Sequence, residues 1–430
     1  MHRPIVPRHM VFYIAGGVVA AIVILFLWAN FGGNEKRIER RLERLYSLED
    51  PRFTQELGAL LGPPLTDGNQ VRALLNGDEI FPPMLEAIRS AKHTVTFETY
   101  IYWSGEIGRK FADALSERAK AGVKVHVLLD WVGSAKMDTR MLDELKAAGV
   151  QVQRYHPPSW TGLGKLNNRT HRKLLVVDGR VGFTGGVGIA PEWTGHGQDP
   201  DHWRDSHFQV EGPVIAQMQA VFIDNWIKTS GEVLHGPDYF PLLQPAGPSR
   251  AQMFSSSPTG GAESMALMYL LAITAASRTI DLSAAYFVPD ELSLKALTAA
   301  LKRGVKLRIV VPGEHIDSET VRSASRAKWG PLLAAGAVIA EYEPSMYHCK
   351  VMIVDNLLVS VGSTNFDNRS FRLNDEATLN IIDAGFATAQ TATFEADLAK
   401  SRPVTYAAWI DRPFKEKVAE RFASLIGSQL

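Results

Sequence analysis

The sequence predicts an α/β protein: two tandem copies of one unit arranged as a pseudo-dimer, preceded by one N-terminal transmembrane helix. Three observations predict this. Residues 11–28 carry no charge. Four segments recur in the same order in the two parts of the chain that follow. Within each copy, apolar runs of strand length alternate with longer helical patterns.

The elements follow in chain order. Val11 to Trp28 (VFYIAGGVVAAIVILFLW) is 18 residues long. At ~1.5 Å per residue it spans roughly 27 Å, close to the ~30 Å hydrocarbon core of a bilayer. Arg3 and Arg8 would also suit the charged end of a signal peptide, but WANFGGNEK offers no small-x-small cleavage site. An uncleaved single-pass anchor over residues 1–33 is therefore expected. Lys36, Arg37, Arg40, Arg41 and Arg44 follow it, and by the positive-inside rule they hold the large C-terminal part at the cytoplasmic side. Glu35, Glu39 and Glu43 alternate with them, so Asn34–Leu48 reads as a charged helix within a juxtamembrane segment, residues 34–64.

The repeat organises what remains. TVTFETYIYW, from Thr94, resembles TIDLSAAYFVP, from Thr279. AGVKVHVLLD, from Ala121, resembles RGVKLRIVVP, from Arg303, and LKAAGVQVQRYHP resembles LLAAGAVIAEYEP. THRKLLVVDGRVGFTGG, from Thr170, resembles YHCKVMIVDNLLVSVGS, from Tyr347. Helical patterns over Phe111–Ala121 and Ser293–Arg303 should end near Gly122 and Gly304. Strand, helix, strand in succession implies an α/β sheet with right-handed crossovers. The copies span residues 65–230 and 262–430. The proline-rich stretch 231–261 reads as their linker. Two like halves predict a site at the interface they share.

Composition narrows the chemistry. Lys+Arg and Asp+Glu both number 46, which argues against a general cationic coat for nucleic acid. A single cysteine, Cys349, excludes an internal disulfide framework and a thiolate zinc cage.

The closest agreement between copies falls on polar residues. His171-x-Lys173-x4-Asp178-x6-Gly185 recurs as His348-x-Lys350-x4-Asp355-x6-Gly362. His and Lys two residues apart on a strand share one face. Asp178 and Asp355 stand an odd number of positions away and should point elsewhere, so they read as turn or structural residues. Asp178-Gly179 and Asp355-Asn356 are turn dipeptides, so each motif strand should enter a hairpin. Cys349, between His348 and Lys350, should face away as buried filler.

This double motif resembles the HxKxxxxD signature of the phospholipase D superfamily, in the manner of bacterial cardiolipin synthases of that type. The resemblance runs through GNQVRALLNGDEIFPPMLEAI, VEGPVIAQMQAVFIDNW and GSTNFDNRSFRLNDEATLN as well as the repeated segments. It implies two tandem phospholipase D-like α/β-sandwich domains. It also implies a catalytic set of His171, Lys173, Asp178, His348, Lys350 and Asp355, with Asp205 and Glu376 as the acidic residues, one downstream of each motif, that orient the His. His171 would be the nucleophile that forms a phosphohistidine, and His348 the acid and base. The two lysines would offset charge on the phosphate oxygens. Ser363 and Asn365 would add hydrogen bonds to that phosphate. The first copy departs from the pattern: Gly185-Gly186-Val187-Gly188 stands where the second has Gly362-Ser363-Thr364-Asn365, so one phosphate donor is lost or comes from backbone N–H. Trp203 reads equally as a rim or a core residue.

No cofactor and no metal are expected. The partner implied is a membrane phospholipid, phosphatidylglycerol, with two molecules condensing to cardiolipin and glycerol at a bacterial inner membrane. Hydrolysis of phospholipid by the same residues, or a membrane-tethered nuclease, would use the same motif. Residues 161–186 carry a net charge of +4, which suits a nucleic-acid backbone or anionic headgroups alike, but no nucleic-acid partner is expected. The loop Trp160–Leu166 (WTGLGKL) mixes Trp, Leu and Lys as an interfacial lip would.

Overall fold

A computed structural model of the chain describes residues 8–31, 38–157, 167–258 and 264–425. The predicted lip, Trp160–Leu166, lies outside the described residues, as do positions 1–7 and 32–37. Helix α1 (Arg8–Phe31) covers the predicted span. Its side chains are described over residues 12–25, and all of them are exposed. Among the described residues, no helix is long and apolar enough to cross a membrane.

The segment after it departs from expectation. Residues 38–47 are irregular, not helical. Arg44 Nη2 donates to Ser277 Oγ at 2.7 Å, so at least one charge is spent on a tertiary contact and not on a pair along a helix. Helix α2 (Pro51–Leu61) follows, capped by Asp50, whose carboxylate accepts from Arg52 N, and opened by a proline at its first turn. Phe53, Leu57 and Leu61 bury in the core of the second copy, so this segment packs as part of that copy.

The first copy contains strands β1 (Thr66–Leu75), β2 (Thr94–Thr99), β3 (Lys124–Asp130), β4 (Gln151–Tyr155), β5 (Arg169–Thr170), β6 (Leu174–Val177), β7 (Val181–Gly185) and β8 (Ser206–Glu211). Its helices are α3 (Asn76–Ser90), α4 (Glu106–Lys120), α5 (Thr139–Ala147) and α6 (Ile215–Ser230). The second has β9 (Ser249–Ser256), β10 (Thr279–Ala284), β11 (Phe287–Val288), β12 (Lys306–Pro312), β13 (Val338–Tyr342), β14 (Lys350–Val354), β15 (Leu358–Gly362), β16 (Phe366–Asp367), β17 (Asn374–Ile382) and β18 (Ser401–Val404). Its helices are α7 (Ser264–Ala275), α8 (Glu291–Lys302), α9 (Glu319–Arg326), α10 (Trp329–Ala334), α11 (Asn368–Arg372), α12 (Ala384–Leu398), α13 (Tyr406–Ile410) and α14 (Phe414–Leu425).

One sheet runs through both copies, in the order β18-β13-β12-β10-β14-β15-β17-β9-β1-β8-β7-β6-β2-β3-β4, with β5 added beside β17. From β13 to β9 and from β4 to β1 the order is the same, which is the predicted repeat in three dimensions. The junction is β1 against β9, antiparallel. Thus the stretch read as a linker holds the strand that welds the halves, and it belongs to the second copy as β1 belongs to the first. β2-β3-β4 and β10-β12-β13 are parallel, as the helical crossovers require.

Local chemistry repeats with the topology. Helices α4 and α8 end alike: Gly122 and Gly304 adopt φ of 89° and 91°, and the next residue's N–H returns to a carbonyl five residues back. The hairpins β6–β7 and β14–β15 form at the predicted turn dipeptides, all four residues of which have positive φ. One apolar cluster fills each copy beneath its crossover helices. A third joins them on the opposite face, with Val176, Phe208 and Met218 packed in one cluster with Met253, Cys349 and Leu379. Cys349 is buried there, as expected, and burial pushes its thiol up to about 12.

Candidate active site

Each motif begins just before its strand, at the seam between copies. Ahead of the first, β5 pairs parallel with the start of β17, Arg169 opposite Asn374 and Thr170 opposite Asp375. Ahead of the second, Tyr347 bridges Arg204 in the same sense. His171 N then donates to Asp375 O at 2.9 Å, and His348 N to Arg204 O at 2.8 Å. The residue following each acceptor is a carboxylate: Glu376 and Asp205. The backbone therefore delivers each carboxylate to the histidine of the other copy.

The distances confirm the exchange. His171 Nδ1 lies 3.0 and 3.1 Å from the two oxygens of Glu376. His348 Nδ1 lies 2.7 Å from Asp205 Oδ2. The acidic residues were expected downstream of each motif, and they are; each serves the opposite motif. Both carboxylates are fully buried and held below the usual carboxylate range: burial pushes them up, but the facing imidazole and lysines outweigh it. An ionised carboxylate only accepts, so Nδ1 carries the proton and Nε2 is left with its lone pair.

Burial dominates the cations. It pushes His171 down to about 4 and His348 to about 3, with Glu376 and Asp205 opposing. Both imidazoles are thus neutral near pH 7. Lys173 is pushed to about 7 by burial, and Lys350 is lowered for the same reason. Lys173 Nζ donates to His171 O at 2.8 Å and Lys350 Nζ to His348 O at 2.7 Å, so each lysine folds back beside its own histidine. A phosphate anion entering here restores proton affinity to all four groups.

His171, Lys173 and His348 line one cleft of 300 Å³. Tyr100, Trp193, Trp203 and Tyr286 form its aromatic walls, while Arg169, Arg369, Asp317 and Asn365 supply polar edges. Trp203 belongs to the site: its ring centre is 5.4 Å from that of His348. Tyr100 stands 5.3 Å from the His171 ring. Sequence reasoning did not single out Tyr100, Trp193, Tyr286, Asp317 or Arg369. A signal existed for the tyrosines, since each lies within the first segment of its repeat, just past β2 or β10.

Three expected site residues fall elsewhere. Asp178 accepts from the backbone N–H of Lys92, His93 and Thr94, and Asp355 from those of Ser277, Arg278 and Thr279. These bonds tie each hairpin turn to the start of β2 or β10, at the end of the strand away from the histidine. Their place in the catalytic set is corrected to a structural one. Ser363 is buried away from the cleft: its Oγ donates to Glu376 Oε2 at 2.5 Å and accepts from Ala377 N. It steadies the carboxylate and is not among the residues that line the cleft. Asn365 does line the cleft, with a buried Oδ1 that has no partner among the described residues.

The first copy's glycines have a geometric reason. A Cβ at Gly186 would lie 2.1 Å from Asp205 Oδ1, so the carboxylate fills that space. A Cβ at Gly188 would lie 2.8 Å from Ile101 Cβ and 3.1 Å from Trp193 Cζ3. Trp193 Nε1 donates to Asp205 Oδ2 at 2.9 Å, the bond that Ser363 makes to Glu376 in the other copy.

Comparison with known proteins agrees with this geometry. The family model described as cardiolipin synthase, PLD-like domain, matches residues 84–226 and 269–398. Cardiolipin synthase 1 of Bacillus anthracis is 33% identical over 405 residues, covering 92% of this chain and 79% of that protein. Cardiolipin synthase of Geobacillus thermodenitrificans is 35% identical over 370 residues, covering 85% and 74%. The crystal structure of phosphatidylserine synthase from Haemophilus influenzae superposes with a TM-score of 0.65 at 14% identity, covering 88% of this chain and 100% of that one. The chain belongs to the cardiolipin synthase, PLD-like domain family.

Proposed function

We propose that this member of the family is a phosphatidyltransferase that condenses two phosphatidylglycerols to cardiolipin and glycerol. The observation that carries the reading is the pair of imidazoles in one cleft, each locked by a carboxylate from the opposite copy. His171 Nε2 attacks the phosphorus of the first lipid. The bond to the glycerol headgroup breaks, and His348 gives its proton to the departing oxygen. The phosphatidyl group is then held on His171. A hydroxyl of the second phosphatidylglycerol loses its proton to His348 and attacks phosphorus, the P–N bond breaks, and His171 is regenerated. Lys173 and Lys350 stabilise the charge that builds on the non-bridging oxygens. In the free cleft His348 Nε2 is unprotonated; the negative phosphodiester raises its proton affinity, so Nε2 takes up a proton from solvent on binding, and this is the proton given to the departing oxygen.

The aromatic walls support an alcohol over water as acceptor, because they surround the imidazoles with apolar surface. For placement, the reading retains a single-pass anchor over residues 1–33 in the bacterial inner membrane, with the catalytic part on the cytoplasmic side. Its support is the uncharged run 11–28 within helix α1 and the basic residues after it. The test is purified protein with phosphatidylglycerol vesicles and mass spectrometry of the products. Cardiolipin with free glycerol is expected; phosphatidic acid with glycerol and no cardiolipin would replace the transferase by a hydrolase. EDTA is expected to leave the rate unchanged.

A further inference from the structure

The C-terminal helices carry apolar side chains that the fold does not use. Tyr406 and Ile410 on α13, then Phe414, Val418 and Phe422 on α14, recur every fourth residue and are exposed. Phe414 is 79% and Phe422 68% exposed, values matched among the described aromatics by Phe12 and Tyr13 of α1. At 100° per residue, Phe414, Val418 and Phe422 form one stripe of α14.

The charges on α14 are sorted around that stripe. Glu416 and Glu420 lie on the opposite face, where Glu416 pairs with Arg326 at 3.2 Å and Glu420 with Arg412 at 2.6 Å. Lys415, Lys417 and Arg421 are exposed and flank the apolar residues on both sides. The outer face of α14 is thus apolar with a basic border and presents no acid; Asp411, exposed between the two helices, is the acid nearest to it. That pattern complements an anionic bilayer surface, where the apolar stripe enters the headgroup boundary and the cations meet phosphate.

Position favours the same occupant. Ala423 on the inner face of α14 packs with Val321 and Ala324 of α9 and with Val288, and Tyr286 abuts this cluster. Val321 and Tyr286 line the catalytic cleft. Helix α9, whose Val321 lines the cleft, thus packs against the inner face of α14.

We propose that α13 and α14 form a docking face that seats the cleft on an anionic membrane surface. The proposal rests on the phospholipid reading of the site, and its test separates the two. A fluorophore is placed at Val418→Cys in the full chain; native Cys349 is buried and does not compete. A control label goes at Lys120→Cys, at the end of α4 away from the cleft. Vesicles containing phosphatidylglycerol should shield the label at 418 from an aqueous quencher and leave that at 120 open, with weaker shielding in pure phosphatidylcholine and at high salt. Equal quenching at 418 with and without vesicles would overturn the proposal. So would shielding that appears without lipid and grows with protein concentration, which would mean a second copy covers the face.

Turnover supplies the second arm. Phe414→Ser with Phe422→Ser should lower turnover of phosphatidylglycerol in vesicles about tenfold and leave dispersed short-chain phosphatidylglycerol unaffected. Equal rates of variant and parent on vesicles would overturn the docking role. The quenching arm requires no catalysis, so absent turnover in the unaltered chain would count against the phosphatidyltransferase alone.

Discussion

The two copies present the same catalytic pair on unequal supports. In the second copy a serine steadies Glu376 from the turn after its motif, at a place where a side chain fits. In the first copy the corresponding turn is glycine, the Asp205 carboxylate occupies the vacated space, and the indole of Trp193 donates in place of the serine. The carboxylates differ too: Asp205 bonds through one oxygen to His348, whereas Glu376 presents both oxygens to His171. A donor lost at one position of a repeat is thus replaced from another element. Functional symmetry is kept by geometry where the sequence breaks it.

Substitutions test whether the two copies are equivalent. The largest effect falls on the histidines: His171→Ala and His348→Ala should each lower kcat by about 10³-fold or more, since one cleft needs both. Retention of substantial turnover by either would mean that the halves act separately. Next come the carboxylates. Glu376→Gln and Asp205→Asn leave shape intact but remove the charge that fixes the imidazole, and each should cost roughly 10²- to 10⁴-fold in kcat with little change in KM. The exchange between copies predicts that Glu376→Gln slows adduct formation at His171, as Asp205→Asn slows proton transfer by His348.

Smaller effects test the supports. Trp193→Phe and Ser363→Ala each delete one hydrogen bond to a catalytic carboxylate, and both should lower kcat about tenfold, a loss near 1.4 kcal/mol. A tenfold loss for the serine and none for the indole would deny the equivalence. Gly188→Asn restores the repeat in sequence but drives a Cβ against Ile101, so it should destabilise the fold by about 1–3 kcal/mol in denaturant unfolding. The smallest catalytic change is expected at the turn residues. Asp178→Ala and Asp355→Ala should each cost about 1–3 kcal/mol of stability and leave kcat near its original value.

The pH dependence of stability follows from the buried imidazoles. His171 is pushed from 6.5 to about 4 in the folded chain, so between those values the unfolded chain binds the extra proton. Stability should fall as pH drops from 6.5 toward 4, and this contribution should level off below. Denaturant midpoints across that range, steeper in the parent than in His171→Asn, would check it.

Much of the fold was legible. The motif strands are apolar runs of one length, and their Asp-Gly and Asp-Asn turns specify hairpins by chemistry that is local. The glycine ends of α4 and α8 were legible for the same reason. What long-range pairing decides was not: β9 reads as linker because its Ser-rich sequence shows no apolar alternation, and only its place between β1 and β17 makes it central. The charge alternation at 34–48 suggests a helix, yet the tertiary bond from Arg44 to Ser277 is invisible in spacing. At the site, the motif residues were legible and the crossing of carboxylates was not, because periodicity does not say which copy a side chain faces. Trp193 carries no motif and emerges from its place in the cleft wall and its bond to Asp205.

In the shared site His171 attacks and His348 moves the proton. Acid-quenching the protein during turnover of phosphatidylglycerol and locating the adduct by peptide mass spectrometry distinguishes these roles. A phosphatidyl group is expected on His171 in the parent, retained or enriched in Asp205→Asn, and none on His348. An adduct on His348 with cardiolipin still forming, or turnover with no histidine adduct, would contradict it.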